Sequence, residues 1–155
     1  MSVESIPVLI CMAGERPYAL PVDDILEVAA LVAITPLPAA PPEIVGVVNR
    51  RGAALPLLDL RRCLGHPARP LDLTTLFVVV QAPDASTGRQ RMAGLITDDI
   101  RGVIHLPATA RQLPATGGPF VRGMAIVDDV PVLVLDVAAL LRAYAPPDLI
   151  GERMA

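Results

Sequence analysis

Short apolar runs alternate with turn-forming residues along the whole chain, which contains 17 Pro and 11 Gly. Because Pro lacks a backbone N–H and clashes with the preceding turn, it interrupts long helices and favours short strands. The pattern predicts five strands in the first half, over residues 8–12, 18–21, 28–34, 44–48 and 53–58. It predicts five more in the second half, over residues 75–81, 93–97, 103–106, 121–127 and 130–135. Each set of five is followed by a short predicted helix, over residues 60–64 and 137–144.

The two halves of the chain repeat one another. The segment GVVNRRGAALPLLDLRRCL from Gly46 aligns without a gap on GMAIVDDVPVLVLDVAALL from Gly123, an offset of 77 positions. Within this alignment Asp59 falls on Asp136. Upstream, ALPVDDILEV aligns on GLITDDIRGV at an offset of 75 positions. Two related strand-rich modules of about 75 residues indicate a duplicated small β fold whose halves pack together.

The predicted fold class is all-β with short helices, arranged as two five-stranded barrels. Closure into barrels is expected because it removes the unpaired edges that open five-stranded sheets would expose. We expect one domain over residues 1–155, with one subdomain over about 15–70 and the other over about 75–141. Hydrophobic residues make up 53% of the chain, yet it has no Trp, two Phe and two Tyr. The core between the barrels is therefore expected to be aliphatic.

Charge and composition narrow the possible partners. Thirteen basic and 16 acidic residues give a net charge of −3, so nucleic acid is an unfavourable partner. No apolar run reaches the roughly 18 to 20 residues that cross a bilayer, and the first residues do not resemble a signal peptide. Cys11 and Cys63 are expected to be buried thiols, and no His, Cys or carboxylate spacing predicts a metal site. We expect a cytoplasmic protein without a cofactor and without direct membrane insertion.

The matched aspartates Asp59 and Asp136 allow two interpretations. Each precedes a helical pattern, so each carboxylate is expected to cap exposed N–H groups at a helix start. The alternative is a small hydrolase or ligand-binding protein, in which the two carboxylates meet across a pseudo-twofold axis and share a proton. The two hypotheses differ in whether the carboxylates converge in one pocket.

Charged residues beside apolar strands are the other candidates. Residues 49–52, Asn-Arg-Arg-Gly, lie between two predicted strands and are typical of a turn with solvated arginines. An arginine on a rigid turn could also bind a partner carboxylate. Glu27 lies in an apolar neighbourhood and is expected to point outward, either as an edge-strand charge or as a contact for a basic partner residue.

Several of these segments resemble the CheW-like domain of bacterial chemosensory adaptors, over about residues 8–141. The resemblance includes AGERPYALPVDDILEV, ITPLPAAPP, GLITDDIRGVIHLP and the central GVVNRRGAALPLLDLRRCLG. The family's central motif is Gly-Val-x-Asn-x-Arg-Gly, three further residues, and Pro-hydrophobic-hydrophobic-Asp-Leu-Arg. Its positions are filled here by Gly46, Val47, Asn49, Arg51, Gly52, Pro56, Asp59, Leu60 and Arg61.

This resemblance implies two SH3-like five-stranded barrels around a hydrophobic core and no enzymatic activity. It also implies an adaptor that couples the cytoplasmic tips of methyl-accepting chemoreceptors to the regulatory domain of a CheA-type histidine kinase. The residues that it implies for partner contact are Glu27, Gly46, Asn49, Arg51 and Gly52.

Two departures from the family pattern bear on partner specificity. Position 50, usually apolar in the family, is Arg50, and the matching turn in the second half carries the acidic pair Asp128-Asp129. Adaptors of swimming, twitching and second-messenger pathways share these barrels, so the sequence assigns no pathway and no oligomeric state.

Overall fold

Ten β-strands and two short α-helices make up most of residues 4–72, 75–111 and 118–145, the part of the chain that the computed structural model describes. The first five strands are β1 (Ser5–Ala13), β2 (Arg16–Pro21), β3 (Ile25–Ala30), β4 (Ile44–Arg50) and β5 (Ala53–Asp59). The next five are β6 (Leu76–Pro83), β7 (Gln90–Thr97), β8 (Asp99–Pro107), β9 (Val121–Val127) and β10 (Val130–Leu135). The helices are α1 (Leu60–Cys63) and α2 (Val137–Tyr144), and 3₁₀ turns cover Val22–Asp24 and Ala108–Arg111.

The strands form two five-stranded sheets, which confirms the predicted mainly β fold class. The first barrel has the order β8-β1-β2-β10-β9 and the second has the order β3-β6-β7-β5-β4. Neighbouring strands are antiparallel except for β10 with β2 and β5 with β7, which are parallel. In the second barrel, the segment that follows β3 runs beside β4, where Thr35 and Val47 form an antiparallel β-bridge. This bridge joins the two ends of that sheet.

The two barrels do not coincide with the two sequence halves. The first half supplies β1 and β2 to the first barrel and β3, β4 and β5 to the second, and the second half does the reverse. The subdomains expected over residues 15–70 and 75–141 therefore differ from the observed barrels, each of which combines strands from both halves. Equivalent strands occupy equivalent places, so the duplication is intertwined and not side by side.

Equivalent β-bulges explain why two strands begin earlier than predicted. The third strand starts at Ile25 and the eighth at Asp99, several residues before the bounds expected from the pattern. In β3 one residue is inserted between the pairs of Ile25 and Glu27, and in β8 one is inserted between Ile100 and Gly102. A bulge places two residues opposite one and breaks the alternation of apolar and polar positions. Both helices are found where the sequence predicts them, within one residue.

The core consists of three aliphatic clusters, which confirms the expected core composition. One cluster fills the first barrel, around Val8, Ile10, Ala19, Leu106, Val132 and Val134. A second fills the other barrel, around Val48, Leu55, Leu57, Phe77, Val79 and Ile96. The largest cluster contains residues from both sheets and both helices, among them Leu9, Leu20, Leu58, Val78, Leu95 and Leu140. Because β1 and β6 contribute alternate side chains to a barrel interior and to the shared cluster, both of their faces are buried.

Within residues 4–72, 75–111 and 118–145, no helix combines the length and the apolar character that a membrane crossing requires.

Candidate functional site

Two hairpin tips occupy equivalent places on the two barrels. The β4–β5 hairpin reverses at Arg51 and Gly52, whose φ angles are 52° and 84°. The β9–β10 hairpin reverses at Asp128 and Asp129, with φ angles of 48° and 65°. Positive φ at both central residues of a two-residue loop defines the type I′ turn, whose twist matches that of the strands. The duplicated turns therefore have one backbone shape and opposite charge.

The first of these tips, the Arg51 tip, is held rigid by its own side chains. The Asn49 Oδ1 accepts a hydrogen bond of 2.8 Å from the backbone N–H of Gly52. This bond fixes the turn, while 76% of the Arg51 side chain remains exposed. The structure thus brings together three of the residues that the resemblance selects, Asn49, Arg51 and Gly52. It presents one guanidinium on a preorganised turn, a geometry suited to paired hydrogen bonds with a carboxylate.

Glu27 lies on β3 and contacts the same tip. The Arg50 Nε donates a hydrogen bond of 2.7 Å to the Glu27 Oε1, and the Arg51 Nη2 lies 3.5 Å from the Glu27 Oε2. The hydrogen bond from Arg50 lowers the pKa of Glu27 below its ordinary value, and the charges of both arginines act in the same direction. Glu27 is therefore already paired within the chain, and this group of three side chains is net positive.

Gly46, the fifth residue that the resemblance selects, is buried within β4. A Cβ at this position would lie 2.4 Å from the Thr35 carbonyl oxygen, which is closer than real Cβ contacts come. Thr35 and Val47 exchange two backbone hydrogen bonds of 2.9 and 2.8 Å. Only glycine allows the crossover to approach β4 so closely, so Gly46 closes the second barrel. A partner contact at Gly46 stays a prediction.

The two matched aspartates are helix caps, as predicted. The Asp59 Oδ1 accepts a hydrogen bond of 3.1 Å from the Arg61 N–H, and the Asp136 Oδ1 accepts one of 3.0 Å from the Ala139 N–H. Burial raises the pKa of Asp59, and the N–H groups of the helix start oppose that rise. Each carboxylate is occupied at the start of its own helix, one on α1 and one on α2. This arrangement does not favour the hydrolase alternative.

Two sets of polar contacts that were not predicted from the sequence join α1 and the segment after it to strands and turns of both barrels. The Arg61 Nε donates to both carboxylate oxygens of Asp98 at 2.8 and 2.7 Å, and Asp98 also accepts from the Gly14 N–H at 2.9 Å. The Tyr18 hydroxyl and the His66 Nε2 form a hydrogen bond of 2.7 Å. These contacts join residues far apart in sequence, and the signal that the sequence offered was the alignment of Asp98 with Asp23 of the first repeat.

Comparison with known proteins agrees with this fold and motif. The CheW-like domain family matches residues 7–145. Protein FrzA of Myxococcus xanthus is 37% identical over 106 residues, which are 68% of this chain and 62% of FrzA. The chemotaxis protein CheW of Helicobacter pylori is 31% identical over 96 residues, 62% of this chain and 54% of that protein. The chain thus spans between about half and three fifths of the length of these two relatives.

A solved structure covers nearly the whole fold. The crystal structure of the scaffolding protein TtCheW from Thermoanaerobacter tengcongensis superposes with a TM-score of 0.76 at 26% sequence identity. The superposition covers 97% of this chain and 98% of TtCheW. The family match, the duplicated barrels and the central motif agree with one another. The chain therefore belongs to the CheW-like domain family.

Proposed function

We propose that this protein is a non-enzymatic chemosensory adaptor that couples methyl-accepting chemoreceptors to a CheA-type histidine kinase. The observation that carries the proposal is the extent of the match to the CheW-like domain family, over residues 7–145, together with the rigid Arg51 tip at the central motif. Its relatives are named as chemotaxis and scaffolding proteins. The protein then acts by holding its partners in place, in the cytoplasm, where the receptor tips and the kinase meet.

The Arg51 tip is the part of the surface that we assign to partner contact. Arg51 supplies an exposed guanidinium, and Asn49 and Gly52 fix the turn that carries it. Arg50 neutralises Glu27, so the tip favours an acidic partner segment over a basic one. Arginine is enriched among the residues that dominate binding energy at interfaces.

The proposal assigns no catalytic role to the matched aspartates, because both of their carboxylates are already engaged within the fold. Asp59 and Asp136 each accept a hydrogen bond from a helix N–H, which is a structural use of a carboxylate. The Cys11 and Cys63 thiols are buried, and burial raises the pKa of each to about 12, so neither is a poised nucleophile.

Calorimetric titration tests the proposal, with the purified regulatory domain of the CheA-type kinase from the same organism as titrant. We expect binding by the parent chain and a loss of about tenfold or more in affinity for Arg51→Ala. Arg142→Ala is the matched control, since it also removes one exposed positive charge, on α2, and is expected to bind like the parent. Failure of the parent to bind any CheA-type kinase or receptor signalling tip of that organism would overturn the proposal.

A further inference from the structure

Glu27 contacts two arginine side chains of the β4–β5 hairpin, and it is committed to one of them. The Arg50 Nε donates to the Glu27 Oε1 at 2.7 Å, the short distance of a charge-assisted hydrogen bond. The Arg51 Nη2 lies 3.5 Å from the other oxygen, Oε2, a distance at which a hydrogen bond is weak. The Glu27 carboxylate is therefore held mainly by Arg50.

The two arginines differ in their access to solvent. The Arg50 side chain is 20% exposed, whereas the Arg51 side chain is 76% exposed. Arg51 is therefore the guanidinium that a partner can reach, while Arg50 is mostly covered by the chain itself. The two neighbouring arginines are thus suited to different tasks.

The ion pair beside this tip is not required by the turn. The β9–β10 hairpin of the first barrel has a turn of the same backbone shape. The residues aligned there with Glu27 and Arg50, at offsets of 75 and 77 positions, are Gly102 and Val127, which carry no charge. The same turn thus forms without such a pair. The pair beside Arg51 therefore points to a role in what the tip binds.

Without Arg50, the Glu27 carboxylate would compete with a partner for Arg51. The Arg51 guanidinium already lies within 3.5 Å of Glu27, so a side-chain rotation suffices to pair them. That internal pair would have to break before Arg51 could bind a carboxylate on a partner. The charge would change as well, since two arginines and one glutamate carry 2 − 1 = +1, and one arginine with one glutamate carries none.

We propose that Arg50 is a positioning residue, which occupies Glu27 and so leaves the Arg51 guanidinium free for a carboxylate of the partner. The inference rests on the proposed adaptor function and adds the chemical class of the group that the Arg51 tip recognises. Glu27 then makes no direct contact with the partner. Its negative charge, if it were unpaired, would oppose the carboxylate that the tip binds.

Calorimetric titration of three variants with the regulatory domain of the CheA-type kinase from the same organism tests the proposal. Arg50→Leu leaves Glu27 free to pair with Arg51 and is expected to bind about threefold more weakly than the parent, the effect typical of an exposed ion pair. Arg50→Leu combined with Glu27→Gln removes the competing carboxylate and restores the charge of +1, so we expect it to bind like the parent. Glu27→Gln alone is expected to bind at least as tightly as the parent.

A purely structural ion pair predicts a different pattern of affinities. Arg50→Leu and Glu27→Gln break the same contact, so both would then weaken binding to the same extent, and this result would overturn the proposal. A double variant that binds no better than Arg50→Leu would also overturn it, because Arg50 would then contact the partner itself. Melting curves establish that each variant is folded.

NMR relaxation of the chain alone tests the inference without the kinase. The ¹⁵N relaxation of each arginine Nε reports its mobility, and in the parent we expect a restrained Arg50 and a mobile Arg51. In Arg50→Leu we expect Arg51 to become restrained, because Glu27 is then available to it. An Arg51 Nε with the same mobility in the parent and in Arg50→Leu would overturn the inference.

Acidification of the parent gives a second measurement that needs no variant. Protonation of Glu27 should release the Arg50 Nε and leave the mobility of the Arg51 Nε unchanged, and the opposite result would overturn the inference. These relaxation measurements contain no kinase and no receptor. A parent that fails to bind the kinase therefore counts against the adaptor function alone, and an unexpected relaxation result counts against the role of Arg50 alone.

Discussion

Arg50 and Glu27 join β4 to β3, the two end strands of the second barrel, through a hydrogen bond of 2.7 Å from Nε to Oε1. The Arg50 side chain is 20% exposed and the Glu27 side chain is 33% exposed, so the pair is partly shielded from solvent. Glu27, which the family resemblance selects for partner contact, is thus bound within this chain by Arg50 of the β4–β5 hairpin.

Replacing Arg50 by Leu, the kind of residue usual in the family at this position, removes the principal partner of Glu27. We expect the pKa of Glu27 to rise toward its ordinary value and the melting temperature to fall slightly near neutral pH. A carboxylate whose folded pKa is lowered stabilises the fold above its ordinary pKa, and that contribution is lost as the pH falls through the folded value. The difference in melting temperature between parent and variant should therefore shrink in acid.

NMR titration of the Glu27 side chain measures this effect directly. Arg51→Leu is the control, since the Arg51 Nη2 lies 3.5 Å from Glu27 and is expected to shift its titration less than Arg50 does. An unchanged Glu27 titration in Arg50→Leu would contradict the role assigned to the pair.

The features that could be predicted are those that depend on residues close together in the sequence. The two helix caps follow from an aspartate placed directly before a helical pattern, and the turns follow from residues that tolerate positive φ. The intertwining of the barrels could not be predicted, because a repeat identifies equivalent strands without indicating which copies pair. The Glu27–Arg50 contact was missed for a related reason, since it joins strands that meet only when the barrel closes.

Arg91 of β7 anchors the end of α2 and is itself held by a buried ion pair with Asp84, in the loop before that strand. The Arg91 Nη2 lies 2.6 Å from the Asp84 Oδ2, and the Arg91 Nη1 donates to the Ala145 carbonyl at 2.9 Å. Hydrogen bonds from Ser86 and Arg91 lower the pKa of Asp84 to about 2. Asp84 therefore stabilises the fold above the ordinary Asp pKa of about 3.9, and this contribution is lost as the pH falls toward about 2.

Urea unfolding as a function of pH tests this anchor with Asp84→Asn. We expect the variant to be less stable than the parent at neutral pH and the difference to disappear as the pH approaches that of the folded Asp84 titration. Asp23→Asn is the control, because Asp23 is an exposed aspartate and is expected to behave like the parent. A stability difference that stays constant from neutral to acid pH would show that the charge of Asp84 is not the cause.

The cap of α2 by Asp136 can be tested by removing the capping oxygen and then restoring it with serine. Asp136→Ala removes the acceptor for the Ala139 N–H and should lower the free energy of unfolding by about 1 kcal/mol, the usual effect of losing a helix cap. Asp136→Ser keeps a capping oxygen and should recover most of the stability. Urea unfolding measures both variants. If serine and alanine are equally destabilising, the side chain does not act as a cap.

A substitution at Gly46 distinguishes a structural role in barrel closure from a role in partner binding. Gly46→Ala places a Cβ against the Thr35 carbonyl and should lower the free energy of unfolding by about 1 to 3 kcal/mol, as overpacking does. Gly52→Ala is the matched control, since a Cβ there meets no atom within 4 Å and only the positive φ is strained. The expected cost of that strain alone is roughly 1 to 2 kcal/mol, and Gly46→Ala, which adds the clash with Thr35 to a φ of 156°, is expected to lose more. Urea unfolding ranks the two variants. A Gly46→Ala chain as stable as the parent that nevertheless fails to bind the kinase regulatory domain would make Gly46 a contact residue and refute its place in barrel closure.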